Sequence, residues 1–199
     1  MEIKVKETFV SFTGNINIGR FSFFVDINDM GVNLSVDDLV EQVIHFPRVS
    51  LVGEPFIERD DLPKFIKKAK KQNPKIIFEI NTKGTIRPVG LTNFDNIIFN
   101  VTVQLKNSNL EYDDRIKPVI LNWFNEASAN FRFVVKNDDE IDEANLIVRE
   151  FGIPKARVFL CPKDEQVFDF VMSRAKYYGY NFVPNFRKLL WEFDGRNLK

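Results

Sequence analysis

Apolar and polar positions along the chain repeat with two periods that take turns. IKVKETFVSF (3–12) alternates residue by residue, the mark of a strand with one covered face, and RFSFFVDI (20–27) is a denser apolar run that predicts a more buried strand. Ser35-x-x-Asp38 is a capping box, and it predicts a helix whose stripe is Leu39, Val40, Val43 and Ile44. VSLVG (49–53) predicts the next strand, and residues 60–72 a helix with Leu62, Phe65, Ile66 and Ala69 on one face. KIIFEI (75–80) and IIFNVTV (97–103) read as strands. Residues 117–127 read as a helix turning Val119, Ile120, Trp123 and Phe124 inward. FRFVV (131–135), a helix carrying Ile141, Ala144, Ile147 and Val148, and RVFL (157–160) follow. A last helix over 164–178 buries Val167, Phe168, Val171, Met172 and Ala175.

Apolar strands alternating with amphipathic helices predict an α/β fold, a mainly parallel sheet covered by helices. No Pro/Gly/Ser-rich linker interrupts the pattern, so residues 1–199 are read as a single α/β domain. In such folds chemistry collects where strands end and the chain turns toward the next helix, because loops from several strands meet there. That rule selects Asp26, Glu54, Asn81, Thr82, Gln104, Lys106, Lys136 and Cys161.

Composition narrows the classes of function. With 28 Lys plus Arg against 28 Asp plus Glu, nucleic acid is not expected as the primary partner, nor is a membrane surface. The 21 phenylalanines are read as core before ligand-stacking surface, since aromatic rings bury large areas. One cysteine (Cys161) and one histidine (His45) exclude an intrachain disulfide and a Cys/His zinc site. MEIKVKETFV lacks the apolar core of a signal peptide, and the expected location is the cytoplasm.

Taken in order, SFTGNINIGRFSFFV, LVGEP, NTKGTIRP, QLKNSN, FRFVVKNDDEIDEA, GIPKARVFLCP and the late FRKLLW resemble the 7-carboxy-7-deazaguanine synthase family. That family belongs to the radical S-adenosylmethionine (SAM) superfamily and acts in the route to queuosine and archaeosine. The resemblance spans nearly the whole chain, and it implies a partial (β/α)6 barrel and a homodimer. It implies that Gly53, Glu54 and Pro55 stand where the family's G-G-E-P contacts SAM. Asn81 and Thr82 stand in its E-T-N-G-T, with Gly84 following, and Lys106 in its S-P-K.

The departures bear on function. Radical SAM chemistry needs an iron–sulfur cluster held by three cysteine thiolates, and this chain has one cysteine. FVDINDMGVNLSVDDLV runs almost directly from the second strand to the helix at Ser35, so the cluster loop reads as deleted. The family's Q-G-E falls at Thr13-Gly14-Asn15, its arginine after the second strand at Asp26, and its late histidine at Arg187. These readings make Thr13, Asn15, Asp26, Gly84 and Arg187 the candidate substrate contacts. Neither a [4Fe–4S] cluster nor a metal is expected, and SAM or a nucleotide are the ligands to consider.

The expectation is a ligand- or partner-binding pseudoenzyme on a synthase-like scaffold, its partner a small purine-like or nucleotide ligand. The alternative is a non-radical enzyme acting on such a substrate, with Asp26, Glu54 and Lys106 as acid, base and charge stabiliser. Asp26, Asp29 and Glu54 could in principle share a hard cation, but nothing in their spacing requires it. Lys64, Lys67, Lys68 and Lys71 read as the solvated face of their helix. His45 reads as structural, and Cys161 as a buried small hydrophobe.

Overall fold

The computed structural model describes residues 1–14, 16–91 and 95–186. These fall into two compact units. The first comprises Met1–Thr13, Gly19–Thr82 and Ile86–Phe99; the second comprises Gly14–Ile18, Lys83–Thr85 and the chain from Asn100 onward.

The first unit contains β1 (Glu2–Phe12), β2 (Phe21–Ile27), β3 (Val32–Ser35), α1 (Val36–Val43), β4 (Arg48–Gly53), α2 (Asp61–Gln72) and β5 (Ile77–Thr82), with strands in the order β3-β1-β2-β4-β5. β2, β4 and β5 are parallel, whereas β1 is antiparallel to both β2 and β3. Ser35 caps α1, its hydroxyl accepting from the Asp38 N–H at 3.0 Å as the capping box predicts. Leu39, Val40 and Val43 are buried beneath α1. On α2 the buried residues are Leu62, Phe65, Ile66 and Ala69, the stripe expected from the sequence. Phe65 meets Phe78 of β5 edge-to-face, ring centroids 5.6 Å apart.

The chain enters β6 (Ile97–Val103), whose residues from Asn100 belong to the second unit. It continues through α3 (Tyr112–Arg115), α4 (Pro118–Glu126), β7 (Asn130–Val135), α5 (Asp138–Glu150), β8 (Val158–Pro162), α6 (Phe168–Tyr178) and β9 (Asn181–Phe182). Here β6, β7, β8 and β9 are parallel neighbours in that order. Asn137 caps α5 by accepting from the Glu140 N–H, while the Glu140 carboxylate accepts from the Lys136 N–H at 2.7 Å. The fold is thus a mostly parallel α/β sheet with helices, as the alternating pattern predicts.

Three elements depart from the sequence reading. β3, α3 and β9 hold four, four and two residues, too few for periodicity to show. Val119 is 70 % exposed, while Leu121 and Phe124 are fully buried. Val119 follows Pro118 in the first helical turn, and the inward stripe of α4 begins two residues later. Met172 is likewise 43 % exposed: Val171 and Ala175, four apart, carry the inner face of α6. Phe65, Phe78, Phe124, Phe131 and Phe133 are all fully buried, in keeping with phenylalanine as core.

A recessed ion pair lies inside the first unit. Arg48 on β4 donates to Glu79 on β5 at 3.1 Å, and Glu79 is only 2 % exposed. Removing one partner of such a pair takes a counter-charge from the other, which is recessed from water. Arg48→Ala should therefore cost about 3 kcal/mol, read as a lower urea midpoint at unchanged m-value.

Candidate functional site

The parallel register of β2 and β4 sets Asp26 opposite Val52 and Ile27 opposite Gly53, while Leu51 stands opposite Ile80 on β5. The three strands therefore end together and bring Asp26, Gly53, Glu54, Asn81 and Thr82 to one rim of the first unit. At that rim the chain is pinned by backbone geometry. Gly53 has φ +84°, which L side chains rarely adopt, and an added Cβ would lie 2.2 Å from the Ile27 carbonyl oxygen and 2.7 Å from Asp26 Oδ1. The next residue closes the turn, the Glu54 N–H donating to that carbonyl at 3.0 Å. Pro55 then opens a short 3₁₀ turn, Pro55–Ile57, and is itself buried.

This geometry aims the Glu54 side chain at β5. Thr82 donates through Oγ1 to Glu54 Oε1 at 2.6 Å, so the carboxylate is held from the neighbouring strand. Asn81 donates through Nδ2 to the Leu51 carbonyl at 3.2 Å, tying the ends of β5 and β4. Asp26 accepts from Asn28 Nδ2 at 3.2 Å. The result is an acidic rim, with one carboxylate at the end of β2 and one on the turn after β4, suited to holding an amine or a hydrogen-bond donor.

The remaining candidates are placed as follows. Thr13 is buried, and its hydroxyl accepts from the Arg20 N–H at 3.0 Å, which commits it to the turn leading into β2. Gly84, in the second unit, has φ +74°, and a Cβ there would meet Val101 Cγ1 at 2.6 Å; close packing accounts for the glycine. Lys106, also in the second unit, has an exposed side chain and a backbone N–H bound to Glu143. Asn15 and Arg187 lie outside the described residues. Gln104 and Lys136 sit at the ends of β6 and β7, and His45 is exposed just past α1. Cys161 is 1 % exposed among Ile16 and Val183, and burial raises its thiol pKa against a smaller opposing pull from Arg132. Arg132, on the polar face of β7, went unselected by sequence because FRFVV reads as a plain strand.

Cys161 is the sole thiol, and it is buried on β8 of the second unit. No group of three or more His, Cys, Asp or Glu side chains among the described residues could hold a metal ion. The segment between β2 and α1 is itself spent on structure. Met30 N–H bonds Asn28 Oδ1 at 3.0 Å in a tight turn, and β3 then pairs with β1, Leu34 opposite Ile3 and Val32 opposite Val5. A Cβ on Gly31 would meet the Val5 backbone at 2.6 Å.

If the rim depends on Gly53, Gly53→Ala should destabilise the protein by about 2 kcal/mol or more, since strain at positive φ and the close carbonyl act together. Equilibrium denaturation measures the loss, and an unchanged midpoint would refute the assignment of the turn.

No family model matches the sequence. The chain is 25% identical to the 7-carboxy-7-deazaguanine synthase of Pyrobaculum aerophilum, over 95% of each chain. Its fold is similar to that in the crystal structure of QueE from Escherichia coli, with a TM-score of 0.70, 14% identity, and coverage of 92% of this chain and 94% of that one. The chain thus resembles a 7-carboxy-7-deazaguanine synthase in sequence from end to end, and it shares the fold of QueE.

Proposed function

We propose that the chain keeps the synthase-like scaffold as a binding protein without the cluster and without radical chemistry. A single observation carries this reading: one thiol in the whole sequence, set against a retained strand-end turn at Gly53, Glu54 and Pro55. An iron–sulfur cluster is held by several thiolates, and no rearrangement of one chain supplies three from one cysteine. The carboxylate of Glu54, fixed by Thr82, remains suited to the amino group of SAM or to the donor edge of a purine-like or nucleotide ligand.

Two measurements test the reading. Anaerobic reconstitution with iron and sulfide should give no stoichiometric cluster by metal and sulfide analysis; a cluster that cleaves SAM would sink the proposal. In a thermal-shift panel of SAM, S-adenosylhomocysteine, pterins, deazapurines and nucleotides, a true ligand at about 100 times its Kd adds about 2.7 kcal/mol, or about 5–10 °C. Glu54→Gln should lose most of that shift. Silence across the panel would move the reading from a small ligand to a protein partner.

A further inference from the structure

The sheet of the second unit carries an arginine for which the described residues provide no counter-ion. Its parallel register sets Asn100 opposite Asn130 and Thr102 opposite Arg132, and on the other side Phe159 opposite Arg132 and Cys161 opposite Val134. Strand alternation puts Asn100, Thr102, Asn130, Arg132, Phe159 and Cys161 on one face. Phe131, Phe133 and Val135 are the fully or nearly fully buried residues of the opposite face.

On the first face the polar groups form two rungs across β6 and β7. Asn130 Nδ2 donates to Asn100 Oδ1 at 3.0 Å, and Arg132 Nε donates to Thr102 Oγ1 at 3.1 Å. The second rung fixes the guanidinium by its inner nitrogen and leaves both terminal nitrogens with no hydrogen bond among the described residues. No carboxylate of those residues pairs with Arg132 either. Two other recessed arginines are ion-paired, Arg48 with Glu79 and Arg115 with Glu143, and the half-buried Arg157 spends its terminal nitrogens on the Asn125 and Ala129 carbonyls and Asn125 Oδ1.

An arginine cannot shed its proton to escape burial, so a recessed and unpaired guanidinium is costly. Burial pulls the Arg132 pKa below the ordinary arginine value, a mark of that cost. Yet the side chain is only half-buried, so its outer edge remains reachable. The described surroundings are an amide rung on one side, and Phe159 and Val134 packed toward Ile16, Cys161 and Val183 on the other.

We propose that Arg132 is the anchor of an oxyanion subsite, in which its two free nitrogens receive the carboxylate or phosphate of a small ligand whose body packs on Phe159. A guanidinium held by Nε presents its remaining edge in the fork that matches two oxygens of one anion. The site belongs to the second unit and stands independently of any ligand at Glu54.

Benzoate and phenyl phosphate are suitable probes at fixed ionic strength, with benzamide as the neutral match. At roughly ten times its Kd, the preferred anion should raise Tm by about 3–6 °C, and benzamide should not. Which anion works distinguishes a carboxylate ligand from a phosphate ester. Arg132→Met should abolish the shift without lowering the Tm of the free protein, because it removes an uncompensated charge. Arg132→Lys should weaken binding about tenfold, as a point charge replaces a fork. The shift should persist in Glu54→Gln. Silence from both anions overturns the proposal, as does an equal shift in Arg132→Met. A marked fall in Tm for free Arg132→Met also overturns it, since the guanidinium would then be paired within the chain.

Discussion

The first unit depends on a contact that leaves no room for a side chain. At the end of β4 the Gly53 α-carbon lies against the Ile27 carbonyl, closer than any Cβ would permit. That carbonyl also receives the Glu54 N–H, so one oxygen both ends the β2–β4 ladder and sets the direction in which the chain leaves it. The position of the Glu54 carboxylate, its bond to Thr82 and the burial of Pro55 all follow from that turn. A larger residue at 53 would push the strand ends apart before it touched any ligand. The glycine therefore serves the fold first, and whatever binds at the rim inherits its precision from the fold.

Recessed arginines are handled in two ways. In the first unit, the Arg48 charge is met on the adjacent strand by Glu79, and in the second the Arg115 charge is met by Glu143. The described residues offer Arg132 only a threonine hydroxyl. A neutral acceptor orients a guanidinium but does not balance it, so the same residue type plays two roles. At Arg48 it joins strands. At Arg132 it adds a positive charge that no described carboxylate balances, on a sheet face of amides, a hydroxyl and apolar groups.

Much of this was legible in the sequence. Two-residue alternation located β1, and the apolar run with Gly-Glu-Pro at its end placed β4 and the turn at Gly53. Helical spacing identified the buried stripes of α2 and α5 residue by residue. Where the reading slipped, the elements were short or the stripe was rotated. β3 has four residues between a turn and the start of α1, and its only sign in sequence, a valine and a leucine, is too slight to count. Val119 is apolar in an apolar stretch, and nothing local says that Leu121 turns inward in its place. The rim candidates Asp26, Glu54, Asn81 and Thr82 were found because strand ends are recognisable. Arg132 was not selected because mid-strand polar residues are usually solvent-facing, and its lack of a counter-ion among the described residues emerges only from pairing across β6 and β7.

β3 also bears on how this scaffold can change. Its residues alternate between the two faces of a sheet, whereas three thiolates meeting on one cluster require a loop that curves around it. Gly31 allows no side chain where the segment crosses β1. Cysteines exchanged into β3 would therefore point to opposite faces, and one at position 31 would press on the Val5 backbone. On the cluster-free reading proposed above, a cluster-binding loop here would call for added length between β2 and α1 more than for point substitution.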